Sequence, residues 1–219
     1  MTRTRETVAA VIWLVIAGAL VLLAFADKTK PAKDFFFHWS SFRDVLLNSL
    51  ILFVIPALAL TRASRELLGL VRPHELKRTT GYAGLTLVGV VVLNVVVSAF
   101  GHPGKEQGIA PDHWVPHHTG QFVANFIAIV LVVPFSEELF FRGAGFGLLA
   151  RLYSVPGAIV LSGAMFGLAH GILLGIPPLA FLGMMFALMR ATSGSIFPSI
   201  VLHGLYNAAG IVWMVTGHG

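Results

Sequence analysis

Three charged side chains lie within a long apolar segment near the middle of the chain. The segment runs from Phe122 to Ala150, and its charged residues are Glu137, Glu138 and Arg142. Each charge at the centre of a bilayer costs roughly 2.5–3.5 kcal/mol on insertion scales. Such residues are retained for function or because they fix the positions of helices. This segment is therefore the first candidate for a functional site.

The composition predicts a membrane protein. Of the 219 residues, 56% are hydrophobic and 11% are charged, and the mean hydropathy is +0.83. These values are far too apolar for a soluble domain. The net charge of +5 fits contact with anionic lipid headgroups, and no basic stripe interleaved with aromatic residues indicates nucleic-acid binding. Because the chain has no cysteine, disulfides, thiol nucleophiles and cysteine-based metal sites are excluded.

The hydropathy pattern predicts an all-helical, polytopic bundle of about seven transmembrane helices in a single membrane domain, residues 1–219. The predicted spans are Val8–Ala26, Val45–Leu60, Tyr82–Phe100, Gln121–Ala150, Pro156–Gly175, Leu179–Arg190 and Ile196–Val215. Residues 1–120 are expected to form the peripheral spans 1–3 with their loops, and residues 121–219 a catalytic core of four spans. Span 4, at about 43 Å, exceeds the roughly 30 Å hydrocarbon core, so it must tilt, break or project.

Span 1 has a second interpretation. Ala24-Phe25-Ala26 resembles a signal-peptide cleavage site, and cleavage there would leave six spans. We favour a retained span because its apolar run is longer than the core of an ordinary signal peptide. Lysine and arginine number nine on the N-terminal side of a seven-span bundle and five on the other side, with Arg142 left out. This bias predicts a cytoplasmic N-terminus, and the small size indicates a prokaryotic plasma membrane.

Helical spacing predicts different surroundings for the two glutamates. Glu138 and Arg142 are four residues apart, so they can neutralise each other on one helix face. Glu137 points about 100° away from Glu138 and is left without a local cation. A buried carboxylate of this kind next to water suits a general base. The alternative is that both glutamates only hold helices together.

Span 5 carries Phe166 and His170 beside a regular stripe of glycines. A helical hairpin between spans 4 and 5 puts Glu137 and His170 at similar depth, and Phe166 is expected to pack above them. The stripe is typical of closely packed membrane helices. Its members recur every four residues: Gly163, Gly167, Gly171 and Gly175.

Span 7 carries His203 and Asn207 on one helix face, four residues apart. Both side chains can donate hydrogen bonds to a developing oxyanion. The alternative is that His203 and Asn207 are two polar groups whose hydrogen bonds are satisfied between helices and that they have no catalytic role. His203 lies only about 10 Å from the predicted start of its span. It reaches the depth of His170 only if residues 192–199 dip into the membrane.

Three short motifs follow one another on consecutive hydrophobic spans: Glu137-Glu138-x-x-x-Arg142, Phe166-x-x-x-His170 and His203-x-x-x-Asn207. Together they resemble the CAAX protease and bacteriocin-processing (CPBP, or Abi) family, whose members are also called type II CAAX prenyl endopeptidases. The resemblance covers residues 121–215. It implies an all-helical intramembrane protease with a water-filled cavity. It also implies hydrolysis of a peptide bond, near a prenylated C-terminal cysteine in some members.

The resemblance further implies a role for each motif residue. Glu137 activates water, His170 helps to hold it, and His203 and Asn207 form the oxyanion hole. The other motif residues are expected to give structural support: Glu138, Arg142 and Phe166.

Glu137, His170 and His203 could instead bind Zn²⁺, since two histidines and a glutamate form known zinc sites. A metal and a glutamate base would each need a carboxylate, however, and Glu138 is assigned to Arg142. The chain also has no His-Glu-x-x-His helix. We therefore favour a mechanism without metal or cofactor, and keep Zn²⁺ as the alternative.

The expected partners are membrane lipids and a membrane-associated protein or peptide substrate, whether prenylated or not. The first function is thus an intramembrane endopeptidase. A second possibility is a non-enzymatic membrane adaptor or bacteriocin-immunity protein of the same fold. A third is a small transporter that relays protons, for which we find no inverted repeat.

Overall fold

The computed structural model describes residues 3–26, 34–59, 65–101 and 114–218. Helices and short connections make up these ranges, and no strand occurs within them. The predicted all-helical fold is therefore confirmed. Some of the basic residues used to predict the orientation lie outside the described residues: Lys28, Lys30, Lys33, Arg62 and Lys105. The cytoplasmic N-terminus and the division at residue 120 stay predictions.

Helices follow one another along the described ranges in the predicted order. They are α1 (Arg3–Ala26), α2 (Trp39–Ala59), α3 (Leu76–Ser98), α4 (Pro116–Leu152), α5 (Val155–Leu168), α6 (Ile176–Ser193) and α7 (Phe197–Trp213). By length and composition, α1, α3, α4, α6 and α7 with its π-helical continuation to Thr216 can each cross a membrane, and α5 is a shorter apolar helix. A helical membrane bundle is thus confirmed, whereas the count of seven spans stays a prediction.

α4 is the central helix of the bundle, and its predicted excess length is confirmed. Its 37 residues span about 55 Å if all are helical. It contains two π-helical segments, Ala128–Val132 and Leu139–Gly145. Each π segment has a wider turn than an α-helix, and it therefore rotates the later side chains about the helix axis. Residues 138–149 are all buried, so the second π segment lies in the core.

α5 ends earlier than the sequence predicted. Its start is set by Ser154, whose hydroxyl accepts a hydrogen bond from the Gly157 amide at 3.2 Å. The helix stops at Leu168, and the chain then turns through Gly171, whose φ of +67° cannot continue a right-handed helix. The prediction of a span reaching residue 175 is therefore wrong, and His170 lies in the turn after α5.

The glycine stripe packs α5 against α6 over part of its length. A Cβ at Gly167 would lie 2.7 Å from the Ala180 amide nitrogen, and one at Gly183 would lie 2.9 Å from the Gly163 Cα. Real Cβ atoms essentially never come so close, so glycine is required for this spacing. The predicted close packing is confirmed for Gly163 and Gly167. The other two stripe residues follow the end of α5: Gly171 and Gly175.

The turn between α6 and α7 lies inside the protein. Segment 65–75 covers it: the Ile196 amide donates to the Gly69 carbonyl at 3.0 Å, and the His74 amide donates to the Ser193 carbonyl at 3.0 Å. Ser193, Ser195, Ile196 and Ser199 are fully buried. The start of α7 is therefore close to the core, and the predicted depth of residues 192–199 in the membrane stays a prediction.

Candidate functional site

Glu138 and Arg142 form a fully buried ion pair on α4. Arg142 Nη1 donates to Glu138 Oε1 at 2.9 Å, and neither side chain has exposed surface. Arg142 Nη2 also donates to the Gly183 carbonyl on α6 at 3.0 Å. The guanidinium carbon lies 4.3 Å from the centroid of the Phe166 ring on α5. The spacing in sequence predicted the pair, and these further contacts join α4 to α5 and α6.

His203 on α7 lies between the two glutamates. Its Nδ1 is 3.2 Å from Glu138 Oε1, and its Nε2 is 3.7 Å from Glu137 Oε2. Because an ionised carboxylate can only accept, we assign the hydrogen to Nδ1, which donates to Glu138. The rings of Phe186 and Phe166 flank the imidazole, with centroids 5.3 and 5.7 Å away. The ring is therefore held with Nε2 towards Glu137.

Glu137 has surroundings unlike those of its neighbour. Its side chain is 16% exposed, whereas that of Glu138 has no exposed surface. Within the described part of the chain, Oε2 of each glutamate accepts no hydrogen bond. Glu138 is nevertheless held through Oε1 by two N–H donors. The distance from Glu137 Oε2 to His203 is longer than a direct hydrogen bond. Two adjacent carboxylates in such different environments can take different chemical roles.

His170 lies in the turn after α5 and contacts the same phenylalanine ring as His203. Its Nδ1 is 2.7 Å from the Phe166 carbonyl oxygen. A carbonyl can only accept, so Nδ1 donates and Nε2 is left as an acceptor. The Phe166 ring packs edge-on against both imidazoles, 4.7 Å from His170 and 5.7 Å from His203. Phe166 thus packs against the polar residues as predicted, and it joins the two histidines.

Asn207 lies one turn after His203 and binds the first π segment of α4. Its Nδ2 donates to the Ile129 carbonyl at 3.0 Å. Gly204 allows this approach, because a Cβ there would lie 2.6 Å from the Val130 carbonyl oxygen. The amide nitrogen carries a second hydrogen that can serve a ligand. His203 and Asn207 share a helix face as predicted, but they have different partners.

Sequence reasoning missed two residues that bind the second π segment. Trp13 on α1 donates its Nε1–H to the Phe140 carbonyl at 2.9 Å, and the Ser162 hydroxyl on α5 donates to the Phe141 carbonyl at 3.0 Å. Side chains from neighbouring helices commonly satisfy backbone groups where a membrane helix departs from α geometry. Trp13 had a detectable signal, since a buried indole N–H needs an acceptor. Ser162 had none beyond its polarity.

The alternative zinc site can be compared with these positions. Across residues 3–26, 34–59, 65–101 and 114–218, no three His, Cys, Asp or Glu side chains are placed to hold one metal ion. The arrangement thus does not assemble Glu137, His170 and His203 into a metal centre. Metal independence itself stays a prediction that requires a solution experiment.

The fold and the site define a helical integral membrane protein in which carboxylates, imidazoles and a guanidinium are buried around one central helix. Residues 119–209 match the family model described as Type II CAAX prenyl endopeptidase Rce1-like. This match is consistent with the CAAX protease family, and it agrees with the resemblance carried by the three motifs. The matched segment begins in α4, ends in α7 and contains every candidate residue predicted from the sequence. No curated protein and no solved structure matches the chain.

Proposed function

We propose that this chain is an intramembrane endopeptidase that hydrolyses a peptide bond with water activated by Glu137. The observation that carries the proposal is the difference between two adjacent glutamates. Glu138 is fully buried and held through Oε1 by Arg142 and His203, whereas the Glu137 side chain is 16% exposed and its Oε2 lies 3.7 Å from His203 Nε2. A general base needs such a carboxylate, able to accept a proton near a group that can take it onward. The family match supports protease chemistry in general.

The nucleophilic water is proposed to lie between Glu137 and His170. His170 donates through Nδ1 to the Phe166 carbonyl, so its Nε2 can accept one hydrogen of the water. Glu137 accepts the other hydrogen as a proton when the water oxygen attacks the peptide carbonyl carbon. A carbon–oxygen bond forms in this step, and the carbonyl oxygen becomes an oxyanion.

His203 is proposed to carry the proton from Glu137 to the leaving amine. Its Nε2 faces Glu137 Oε2 at 3.7 Å, and its Nδ1–H donates to Glu138. Protonation at Nε2 gives an imidazolium that the Glu138 carboxylate stabilises, as the aspartate does in a Ser-His-Asp triad. The imidazolium then protonates the amine nitrogen as the carbon–nitrogen bond breaks. Both glutamates end as carboxylates, and one water has been consumed.

The oxyanion is proposed to receive a hydrogen bond from Asn207 as it forms, and a second one from His203 once Nε2 has taken the proton from Glu137. The Asn207 amide is oriented by its hydrogen bond to the Ile129 carbonyl, and its second N–H is the proposed donor. Donors held in place before the reaction need no reorganisation when charge develops. The π segment that presents the Ile129 carbonyl therefore has a functional purpose in this mechanism.

The proposed substrate is a membrane-associated protein or peptide. Prenylated proteins are the first class to test, because the matched family is described as a prenyl endopeptidase. The site is built on helices long and apolar enough to cross a membrane, so the scissile bond must enter from the lipid or from the membrane surface. We further propose a cytoplasmic N-terminus from the bias of basic residues, and a prokaryotic plasma membrane from the small size of the chain.

Comparison of protein termini in cell membranes tests this function. Cells carry the wild-type protein, Glu137→Gln or Glu75→Gln at matched levels, and Glu75 is an exposed control residue just before α3. We expect specific new termini with the wild type and with Glu75→Gln, and their loss with Glu137→Gln. The same termini from folded Glu137→Gln protein would refute the glutamate mechanism. No new termini under conditions that require the gene would favour the adaptor or immunity function.

A further inference from the structure

α1 lies against two backbone turns of the site. Trp13, which is 3% exposed, donates its indole N–H to the Phe140 carbonyl in the second π segment of α4. Ala24, about 16 Å further along α1, presents its carbonyl to Gly171, where a Cβ would lie 2.6 Å from the oxygen. Gly171 directly follows His170. One helix thus touches the turn that carries the buried ion pair and the turn that carries His170.

The Trp13 side chain is closely fitted to the π segment. A Cβ at Gly145 would collide with the indole ring, so glycine makes room for it. The indole lies 5.8 Å from the Phe140 ring and packs edge-on against Phe141, with centroids 6.4 Å apart. The N–H donor and the ring therefore hold the same turn of α4. Among the hydrogen bonds between described residues, the one from Trp13 connects α1 to this turn of α4.

The held peptide lies between the two members of the ion pair. Phe140 falls between Glu138 and Arg142 in the sequence, so its carbonyl belongs to the turn across which they meet. A change from π to α geometry in this turn would rotate Arg142 about the helix axis. Rotation would move the guanidinium relative to both Glu138 and the Gly183 carbonyl, its two hydrogen-bond acceptors.

We propose that Trp13 is a positioning residue of the active site and that α1 is a retained part of the enzyme. The hydrogen bond from Trp13 fixes the Phe140 carbonyl, and the fixed turn keeps Arg142 in contact with Glu138. Glu138 then orients His203 by accepting a hydrogen bond from its Nδ1. α1 lies outside the segment that matches the family model, so the match does not include this contact. The inference depends on the proposed function only for its kinetic test.

Histidine-selective ¹⁵N NMR of the purified protein tests the inference without an activity assay. Trp13→Phe removes the N–H donor and keeps an aromatic ring, and Trp39→Phe is the control because Trp39 is 57% exposed. Glu138→Gln is the reference variant: it replaces the charged acceptor of His203 Nδ1 and so shows where the Nδ1 signal lies when that carboxylate is lost. We expect Trp13→Phe to move this signal towards the Glu138→Gln position, and Trp39→Phe to leave it in place. An unmoved signal in folded Trp13→Phe protein would overturn the proposal.

Turnover of a cleaved substrate gives the second readout. We expect Trp13→Phe to lower kcat about tenfold with KM unchanged, because a displaced His203 affects the chemical step more than substrate binding. A lower kcat with an unmoved His203 signal would overturn the proposed route through Glu138. If no form of the protein shows turnover, the proposed protease function fails, and the NMR result still decides the role of Trp13.

Two further measurements keep the test decisive. If Trp13→Phe does not fold, 3-benzothienylalanine at position 13 keeps the bicyclic shape and lacks only the N–H donor, and the same readouts apply. The intact mass of the protein from membranes tests the retention of α1. Cleavage after Ala26 would remove Trp13 and Ala24 and would refute a positioning role for this helix.

Discussion

Replacement of Arg142 by methionine removes the cation of the buried ion pair and keeps most of its apolar stem. In the wild type, Nη1 binds Glu138 Oε1 at 2.9 Å and Nη2 binds the Gly183 carbonyl at 3.0 Å. The Arg142 side chain has no exposed surface, so solvent does not screen the pair. Loss of one partner from a buried pair costs about 3–5 kcal/mol. The unpaired Gly183 carbonyl adds roughly 1 kcal/mol, so we expect a total loss of about 4–6 kcal/mol.

Thermal unfolding in a fixed detergent measures this effect. One kcal/mol shifts Tm by about 2–4 °C in a protein of this size, so Arg142→Met should lower Tm by roughly 8–24 °C. The double variant Glu138→Gln/Arg142→Met has no uncompensated buried charge and should recover more than half of the loss. A drop of less than about 4 °C in Arg142→Met would refute the reasoning. A double variant no more stable than Arg142→Met would show that charge is not the cause.

Three further predictions follow from the same contacts. Glu137→Gln should abolish turnover but change Tm by less than about 2 °C, because Glu137 Oε2 accepts no hydrogen bond in the described part of the chain; a large loss of stability would make Glu137 structural. Gly163→Ala should lower the free energy of unfolding by about 1–3 kcal/mol, because its Cβ would press on the Met184 backbone. Gly84→Ala is the control and should leave the free energy of unfolding unchanged, because a Cβ there meets nothing within 4 Å. Chelators should leave turnover unchanged in a peptidase assay, and reversible inactivation restored by Zn²⁺ would instead establish a metal mechanism.

Helical spacing was sufficient to predict contacts that depend on one helix face. Glu138 and Arg142 are four residues apart, and their side chains meet at 2.9 Å. Gly163 and Gly167, also four apart, both face α6. The glycine prediction succeeds because the 3.6-residue period of an α-helix decides which side chains share a face. The prediction for Glu138 and Arg142 holds although a π segment begins at Leu139, because residues four apart lie on nearly the same face in either geometry. The prediction for α5 failed beyond Leu168 because glycines in a stripe are also free to end a helix.

Contacts between helices could not be predicted in the same way. The position of His203 between Glu137 and Glu138 depends on how α7 is rotated and shifted relative to α4. That relation depends on the first π segment, where Asn207 binds the Ile129 carbonyl, and no residue pattern indicates a π segment. Trp13 presents the same difficulty, since its acceptor lies 127 residues away in the sequence.

The two adjacent glutamates differ in burial and in the donors that hold them. In a medium of low dielectric constant, each N–H donor stabilises a carboxylate more strongly than it would in water. Arg142 and His203 both donate to Glu138, which makes Glu138 an inert anchor for the His203 imidazole. Glu137 has no such pair of donors, and its Oε2 accepts no hydrogen bond within the described part of the chain. Loss of the Arg142 cation should therefore disturb catalysis as well as stability, because it removes one of the two donors that hold Glu138, and Glu138 in turn orients His203.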